Sequence, residues 1–360
     1  MGGAEKFMIS MVNHFYNISY SPLVVLLSND DTLANEINPA IPIFKVLKKS
    51  RFDVTVSKKI KKIIIDHGSS KIFCVNPYAF FLTKISFLGN THYQIFLSPH
   101  TTKPFSFYNW FQTFVYYRLI GENDTLIYLC QAQQSYLSKK YLLPRSQHAV
   151  IYNGINTDVF NPDHFNEFDR KGLRSMHAIE NNEKVILLVA RINPEKRHLD
   201  ALRALSIMHQ QKNDIKPHLM IVGSGNAKLK QLLQSTALTM GLDNFVHFTG
   251  NQSDVRPFYF MSDIFTLTSE SETFSMAALE AMSFGLPCAL TDVGGAREMI
   301  FDGWNGSLAQ PLHPLSIANA WVNALKKTQN GKAIRRFTAQ RFSLSQMLSQ
   351  YVALLSQPAR

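Results

Sequence analysis

Short apolar runs that alternate with longer amphipathic stretches are the feature of this sequence that most restricts its fold. Parallel strands covered by helices on both faces have this pattern, because neither face of such a sheet meets water. Alternating strands and helices in both halves predict two doubly wound α/β domains. The predicted strands are 22–27, 41–46, 71–75, 93–97, 126–130 and 149–152 in the first half, and 185–190, 218–222, 245–248, 264–267 and 287–290 in the second.

Two domains also fit the length of 360 residues, because a domain usually holds about 150. Asn153-Gly154 is a turn signal, and the polar, aperiodic stretch 156–168 that follows it is typical of a linker. We therefore predict a first domain over 1–153 and a second over 154–340. Residues 341–360 are expected to form a C-terminal helix that crosses back to the first domain.

The start of the first domain departs from the usual doubly wound pattern. An amphipathic helix is predicted directly after Gly2-Gly3, with no apolar run before it. A strand normally leads into such a glycine turn and lies at the centre of the sheet. We therefore expect the first strand of this domain to be missing, either through a misassigned start or because the domain is compromised.

The net charge of +11 suits a negatively charged partner such as a nucleotide diphosphate, an anionic membrane surface or a nucleic acid. No nucleic-acid recognition motif is present, so we expect no nucleic acid partner. The three cysteines have neither disulfide nor zinc spacing, which favours a reducing cytoplasm. No apolar run reaches the ~20 residues that a membrane helix needs.

The segment 268–284 is the strongest candidate site. A strand is predicted to end at Leu267 and a helix to begin near Ser275, whose first amides would form an anion site. Glu272 lies at the mouth of this turn and Glu280 one to two turns into the helix. Both carboxylates could accept hydrogen bonds from sugar or ribose hydroxyls. The alternative, a helix-start charge and a surface residue, is equally compatible with the local pattern.

Two glycine turns follow predicted strands in the same domain, at Gly223-Ser224-Gly225 and at Gly294-Gly295. Glycines let backbone amides approach a ligand, although tight turns explain most such pairs. Arg191 and Lys196 follow another strand and could clamp a diphosphate; the alternative is a solvated basic loop. All these turns meet at the carboxyl edge of a parallel sheet, where ligands bind.

With these elements in order, the second half resembles the retaining glycosyltransferases of family 4, which have the GT-B architecture. The match runs from about Asp124 to the end of the chain, and the first half matches more loosely, through Gly2-Gly3-Ala4-Glu5 and Pro99-His100. The matching elements of the second half are Asn153-Gly154-Ile155-Asn156 with Phe160-Asn161-Pro162, Arg191 with Lys196, Val222-Gly223-Ser224-Gly225, Phe248-Thr249-Gly250, Glu272 with Glu280-Ala281-Met282, Gly285-Leu286-Pro287, and Gly294-Gly295 with Glu298.

The resemblance implies two Rossmann-like domains facing a central cleft, and a role for each matching residue. Arg191 and Lys196 are expected to hold the donor diphosphate, Glu272 to face the transferred sugar, and Glu280 to bind the ribose. The other expected donor contacts come from the residues around the two turns: Thr273, Phe274, Ser275, Gly223 and Gly225. Where the family usually has Gly-Phe-Gly, Thr273-Phe274-Ser275 predicts a narrower sugar pocket or another donor choice.

In the first half, His100 resembles the histidine near the reacting sugar. Gly2 and Gly3 resemble the glycine turn between donor phosphate and acceptor. The aromatic segment 103–118 is either an interfacial or acceptor surface or, as its composition also allows, a core helix.

The function implied is transfer of a sugar from a nucleotide-diphosphate sugar to a glycan or lipid-linked acceptor, with retention of configuration. No metal or other cofactor is expected, because the Asp-x-Asp motif is absent. The expected location is the cytoplasm, with peripheral contact at the anionic inner face of the membrane. The alternatives are a non-catalytic sugar-nucleotide-binding or scaffold protein with an incomplete first domain, and a GT-B phosphorylase or epimerase.

Overall fold

The computed structural model describes residues 3–27, 34–47, 53, 55–87, 92–100, 106–143, 148–211 and 216–357. The chain divides into two compact units, Met1–Asn153 with Met347–Arg360, and Gly154–Gln346. Both units consist of parallel strands joined by helices, which confirms the predicted doubly wound α/β class. In the described part of the chain, no helix is long and apolar enough to cross a bilayer.

The first unit alternates helices and strands along the chain. Its elements are α1 (Gly3–Asn17), β1 (Val24–Leu26), β2 (Ile43–Lys45), α2 (Thr55–Asp66), β3 (Lys71–Cys74), α3 (Pro77–Ser86), β4 (Gln94–Leu97), α4 (Phe107–Tyr117), β5 (Thr125–Tyr128), α5 (Gln131–Tyr141) and β6 (His148–Val150). The described strands form two parallel sheets, β1–β2 and β3–β4–β5–β6. Within the described residues, α1 is the first element and no ladder joins the two sheets.

Side-chain packing connects the two sheets of this unit instead. On one side, Ile9 and Val12 of α1 share a core with β1, and Phe7 lies 6.0 Å from Phe73 of β3, centroid to centroid. On the other side, Val25 of β1 and Ile72 of β3 pack against the same apolar face of α2. The covering helices therefore hold together strands that do not pair with one another.

The second unit has a single six-stranded sheet with the order β12-β11-β10-β7-β8-β9, all parallel. Its elements are α6 (Glu167–Ser175), β7 (Val185–Val189), α7 (His198–Gln210), β8 (His218–Val222), α8 (Ala227–Thr239), β9 (Val246–Gly250), α9 (Arg256–Met261), β10 (Ile264–Leu267), α10 (Met276–Ser283), β11 (Cys288–Thr291), α11 (Ala296–Met299), β12 (Gly306–Ala309), α12 (Pro314–Leu325) and α13 (Gly331–Phe342).

The strand order of this sheet reverses between β7 and β10. The carboxyl ends of both strands lie on one edge, and a crevice at such a reversal is the usual ligand site of an open α/β sheet. The loops after β7 and β10 carry Lys196 and Glu272. The topology therefore brings together residues that are far apart in the sequence.

A buried arginine attaches α6 to the start of this sheet. Arg174 is 1% exposed, and its guanidinium donates to the carbonyl oxygen of Met261 at 2.9 Å and to Asp263 Oδ2 at 2.8 Å. The same Asp263 oxygen accepts from the amide of Val185, the first residue of β7, at 2.8 Å. One ion pair thus connects the helix and two strands.

The last helix, α14 (Leu344–Leu355), begins in the second unit, and its residues from Met347 onward belong to the first. Within the first unit, the ring of Tyr351 lies 5.3 Å from Phe7 and 5.7 Å from Phe73. This places the C-terminal helix beside α1 and β3.

Candidate functional site

An ion pair joins the loops after β7 and β10. Lys196 Nζ lies 2.5 Å from Glu272 Oε1, and the two side chains are 20% and 18% exposed. The backbone around them is also connected, because the amide of Glu270 donates to the carbonyl of Glu195 at 2.9 Å and Thr268 Oγ1 donates to the carbonyl of Lys196 at 2.9 Å. Hydrogen bonds and an ion pair therefore join the two loops at the carboxyl edge of the sheet.

The buried Ser269 forms a hydrogen bond with the carboxylate of Glu272. Its Oγ donates to Glu272 Oε1 at 2.8 Å, and the residue is fully buried. Its carbonyl accepts from Thr291 Oγ1 at 2.7 Å, which fixes the serine against β11. Ser269 is not among the residues predicted for the site, although its position two residues after a predicted strand is a signal for such a contact.

Glu280 is buried within α10, so the alternative of a surface residue is wrong. It is 7% exposed, and Tyr259 donates its phenol proton to Glu280 Oε2 at 2.7 Å. Burial raises the pKa of Tyr259 well above its usual value, and the neighbouring Glu280 raises it further, so the phenol keeps its proton.

Each residue of Thr273-Phe274-Ser275 has a structural contact. Ser275 caps α10 by accepting from the amide of Ala278 at 3.2 Å, which satisfies one of the free amides at the helix start. Phe274 is buried and packs edge-on against Phe342, with 5.5 Å between ring centroids. The carbonyl of Thr273 accepts from the amide of Gly295 at 2.8 Å.

Gly294 fixes the backbone of Glu272 from the next turn along the sheet edge. Its φ of +54° favours glycine, and a Cβ at this position would collide with the carbonyl oxygens of Glu272 and Thr273. The predicted Gly294-Gly295 turn therefore packs directly against the Glu272 segment.

The other glycine turn packs against the loop that carries Arg191. A Cβ on Gly223 would collide with the carbonyl oxygen of Ala190, and Gly225 forms a parallel bridge with Ile192. Arg191, between these contacts, is exposed and has no ion pair with any residue in the described ranges. Lys196, by contrast, is paired with Glu272. Arg191 therefore adds a positive charge that is not paired within the described ranges.

The candidate residues of the first half lie in the first unit. His100 follows β4, and its ring lies 4.9 Å from that of Phe7. Burial lowers the pKa of His100 to about 4, so the imidazole is neutral at physiological pH. Gly3 is the first residue of α1, and Gly2 lies outside the described residues. Nowhere in the described ranges do three or more His, Cys, Asp or Glu side chains cluster to hold a metal ion.

Two family models match the chain, and together they span nearly all of it. Residues 1–159 match the model described as Glycosyltransferase Family 4, and residues 169–341 match Glycosyl transferases group 1.

Among relatives, the N-acetyl-alpha-D-glucosaminyl L-malate synthase of Bacillus anthracis is 28% identical over 214 residues, which are 58% of this chain and 53% of that protein. The UDP-Gal:alpha-D-GlcNAc-diphosphoundecaprenol alpha-1,3-galactosyltransferase of Escherichia coli is 23% identical over 321 residues, 86% of this chain and 75% of that one. The matched region spans about half the length of several of the curated relatives.

Among solved structures, Anabaena HepE in complex with UDP-glucose matches with a TM-score of 0.83 and 22% identity, covering 99% of this chain and 96% of that one. The lipopolysaccharide glycosyltransferase WaaG matches with a TM-score of 0.76 and 15% identity, covering 99% and 97%. These likenesses concern the fold. The fold is that of two Rossmann-like domains. The two family models and the relatives show that the chain is a member of the family 4 glycosyltransferases.

Proposed function

We propose that this protein transfers a sugar from a uridine-diphosphate sugar to a hydroxyl of a glycan or lipid-linked acceptor, with retention of anomeric configuration and without a metal ion. The observation that carries the proposal is the Lys196–Glu272 pair beside the start of α10, next to the exposed Arg191. A uridine donor and a lipid-linked acceptor are supported by the names of two similar proteins, HepE with UDP-glucose and the Escherichia coli galactosyltransferase.

In this proposal the donor diphosphate replaces Glu272 as the partner of Lys196. Arg191 binds the same diphosphate, and the free amides at the start of α10 face its oxygens. The released carboxylate of Glu272 then accepts hydrogen bonds from the hydroxyls of the transferred sugar. Glu280 accepts from the ribose hydroxyls. Each charged group of the site thereby gains a partner on the donor.

Breaking the bond between sugar and phosphate increases the negative charge on the leaving diphosphate. Lys196, Arg191 and the helix amides are fixed before the reaction, so they stabilise this charge with little reorganisation. The leaving phosphate accepts the proton of the acceptor hydroxyl on the same face of the sugar, which gives retention. Glu272 binds the sugar in this scheme and forms no covalent bond to it.

The test combines a thermal-shift screen of UDP, GDP and ADP sugars with a transfer assay in the presence of EDTA. Arg191→Ala and Lys196→Ala are each expected to lower turnover by about 10²–10³, the usual loss for one preorganised charge donor. Lys326→Ala, an exposed lysine after α12, is the matched control. Wild-type transfer rates in both site variants would refute the proposal, and activity abolished by EDTA would refute its metal-free part.

A non-catalytic donor-binding protein is the second candidate, because the described strands of the first unit form two sheets instead of one. Calorimetry combined with a donor-hydrolysis assay distinguishes the two functions. Donor binding without transfer or donor hydrolysis would support the binding protein, and turnover with any acceptor would exclude it. Dependence of the reaction on inorganic phosphate would instead indicate a phosphorylase.

We also propose that the first unit contacts an anionic membrane surface. Helix α2 buries Val56, Ile60 and Ile64, and its opposite side exposes four lysines: Lys58, Lys59, Lys61 and Lys62. Helix α3 packs against both α2 and α4, and α4 exposes three apolar side chains: Tyr108 at 46%, Phe111 at 52% and Val115 at 39%. Lysines and aromatic rings together suit a lipid interface.

Vesicle flotation tests this contact. Wild type is expected to float with phosphatidylglycerol vesicles at low salt and not with phosphatidylcholine vesicles, since each lysine near an anionic surface contributes about 1 kcal/mol. Replacing the four α2 lysines with glutamine is expected to abolish flotation. Equal recovery of wild type and this variant on anionic vesicles would contradict the proposal.

A further inference from the structure

The buried phenol of Tyr259 is a polar group for which the proposed reaction has no use. Tyr259 lies in α9, its side chain is fully buried, and aromatic rings surround it. The centroids of Phe284, Phe265 and Phe160 lie 5.7, 6.0 and 6.3 Å away. A phenylalanine would fill this space equally well without a hydroxyl to satisfy, so the hydroxyl needs its own explanation.

The hydroxyl is directed at Glu280. It lies 2.7 Å from Glu280 Oε2 and 3.2 Å from the carbonyl oxygen of Ala277. A phenol has one proton, and the shorter contact is to a carboxylate, which is the stronger acceptor. The aromatic neighbours hold the ring of Tyr259, so its hydroxyl has a fixed position and orients the more flexible side chain of Glu280.

We propose that Tyr259 is a positioning residue: it fixes the carboxylate of Glu280 for the two adjacent hydroxyls of the donor ribose and thereby sets a preference for ribose over 2′-deoxyribose. This inference rests on the proposed function, in which Glu280 binds the ribose. A carboxylate held in one orientation can accept from both hydroxyls only in that orientation. A donor without the 2′-hydroxyl then leaves part of a buried acceptor unsatisfied, which lowers its affinity.

Without the phenol, the carboxylate loses its 2.7 Å hydrogen bond to Tyr259 and is held less firmly in one orientation. It then follows whichever hydroxyl remains, and the difference between ribose and deoxyribose decreases. The bond to Tyr259 is available at every working pH, because burial keeps the phenol protonated. The effect of removing it should therefore be the same across the pH range of activity.

The test compares kcat and KM for a UDP-sugar and its 2′-deoxyuridine analogue in wild type, Tyr259→Phe and Glu280→Gln. Wild type is expected to prefer the ribose donor by at least about tenfold, the usual effect of a hydrogen bond to a charged group. In Tyr259→Phe, KM for the ribose donor rises about five- to twentyfold, kcat changes less than twofold, and the preference decreases to about twofold. Tyr128→Phe, which removes a buried phenol near His148 in the first unit, is the matched control.

Circular dichroism checks folding, and if the Tyr259→Phe variant melts near the assay temperature, calorimetric binding of UDP and 2′-deoxy-UDP at 10 °C replaces the kinetic comparison. A wild-type ribose preference in Tyr259→Phe, with the preference lost in Glu280→Gln, overturns the role of Tyr259 and leaves the proposed function intact. No ribose preference in wild type, or a wild-type preference in Glu280→Gln, overturns the ribose role of Glu280 itself.

Discussion

Replacement of Gly294 with alanine separates a backbone effect on stability from an effect on the site. Gly294 has a φ of +54°, and a Cβ there would collide with the carbonyl oxygens of Glu272 and Thr273. Gly241, after α8, has a similar φ of +67°, but a Cβ on it would have no heavy atom within 4 Å. Gly241→Ala is therefore the matched control, because it changes the same conformational preference without the collision.

Both alanine variants lose about 1–2 kcal/mol of stability from the left-handed conformation, and Gly294→Ala loses more than Gly241→Ala, because its Cβ displaces backbone carbonyl oxygens. For a unit of this size, each kcal/mol lowers Tm by about 2–4 °C. Only in Gly294→Ala must the backbone of Glu272 also move, and a displacement of about 1 Å at a reacting site can lower the rate about 10²-fold. We therefore expect kcat/KM to decrease about 10²-fold in Gly294→Ala and less than twofold in Gly241→Ala.

The measurements are thermal melts and initial rates at saturating acceptor over a range of donor concentrations. If kcat/KM of Gly294→Ala stays within twofold of Gly241→Ala, Gly294 does not position Glu272, and the reasoning from the collision is wrong.

Three further predictions concern groups beneath and beside the site. Ser269→Ala is expected to lower kcat/KM about five- to twentyfold and Tm by about 3–6 °C, since the carboxylate of Glu272 loses one hydrogen bond; a wild-type kcat/KM would contradict this. Arg174→Ala should destabilise the second unit by about 3–5 kcal/mol in urea unfolding, because several backbone carbonyl oxygens lose the buried guanidinium that they accept from; Asp263 keeps Arg170 and Lys184 beside it. Arg335→Ala, at an exposed pair with Asp163, should change the stability by less than about 1 kcal/mol. Burial, with a smaller effect of Lys196, lowers the pKa of His198 to about 4. Between about pH 6.5 and 4 the unfolded chain therefore binds a proton that the folded chain does not. The free energy of unfolding should decrease by up to about 3 kcal/mol as the pH falls through this range, and should be level below it. The measurement is Tm against pH for wild type and His198→Asn. If both proteins show the same change of Tm with pH, His198 has no such effect.

The fold could be predicted largely from the apolar runs. Each predicted strand overlaps one of the strands β1 to β11, because strands covered on both faces have little room for polar side chains. β12 was missed: its sequence, Gly306-Ser307-Leu308-Ala309, has two residues that are not apolar, and it lies at the end of the sheet, where pairing with β11 decides its structure.

The contacts within the candidate site were less accessible from the sequence. Lys196 and Glu272 are separated by 76 positions, and their contact depends on β10 lying beside β7, which local patterns do not encode. Tyr259 and Ser269 are buried and donate hydrogen bonds to the two glutamates, and no local sequence pattern indicates such contacts. Glycines after strands predict places where a ligand approaches the backbone, but in this structure Gly294 and Gly223 pack against the protein's own carbonyl oxygens.

The Lys196–Glu272 pair has a consequence for product release. Under the proposed function, a nucleoside diphosphate alone must separate the pair but offers Glu272 no sugar hydroxyls in return. The intact donor offers both partners, so it is favoured over the product by the hydrogen bonds to Glu272. Once the sugar has been transferred, Glu272 competes with the diphosphate for Lys196, and this competition promotes release of the nucleoside diphosphate. Product inhibition by UDP would then be weak in wild type and stronger in Glu272→Gln.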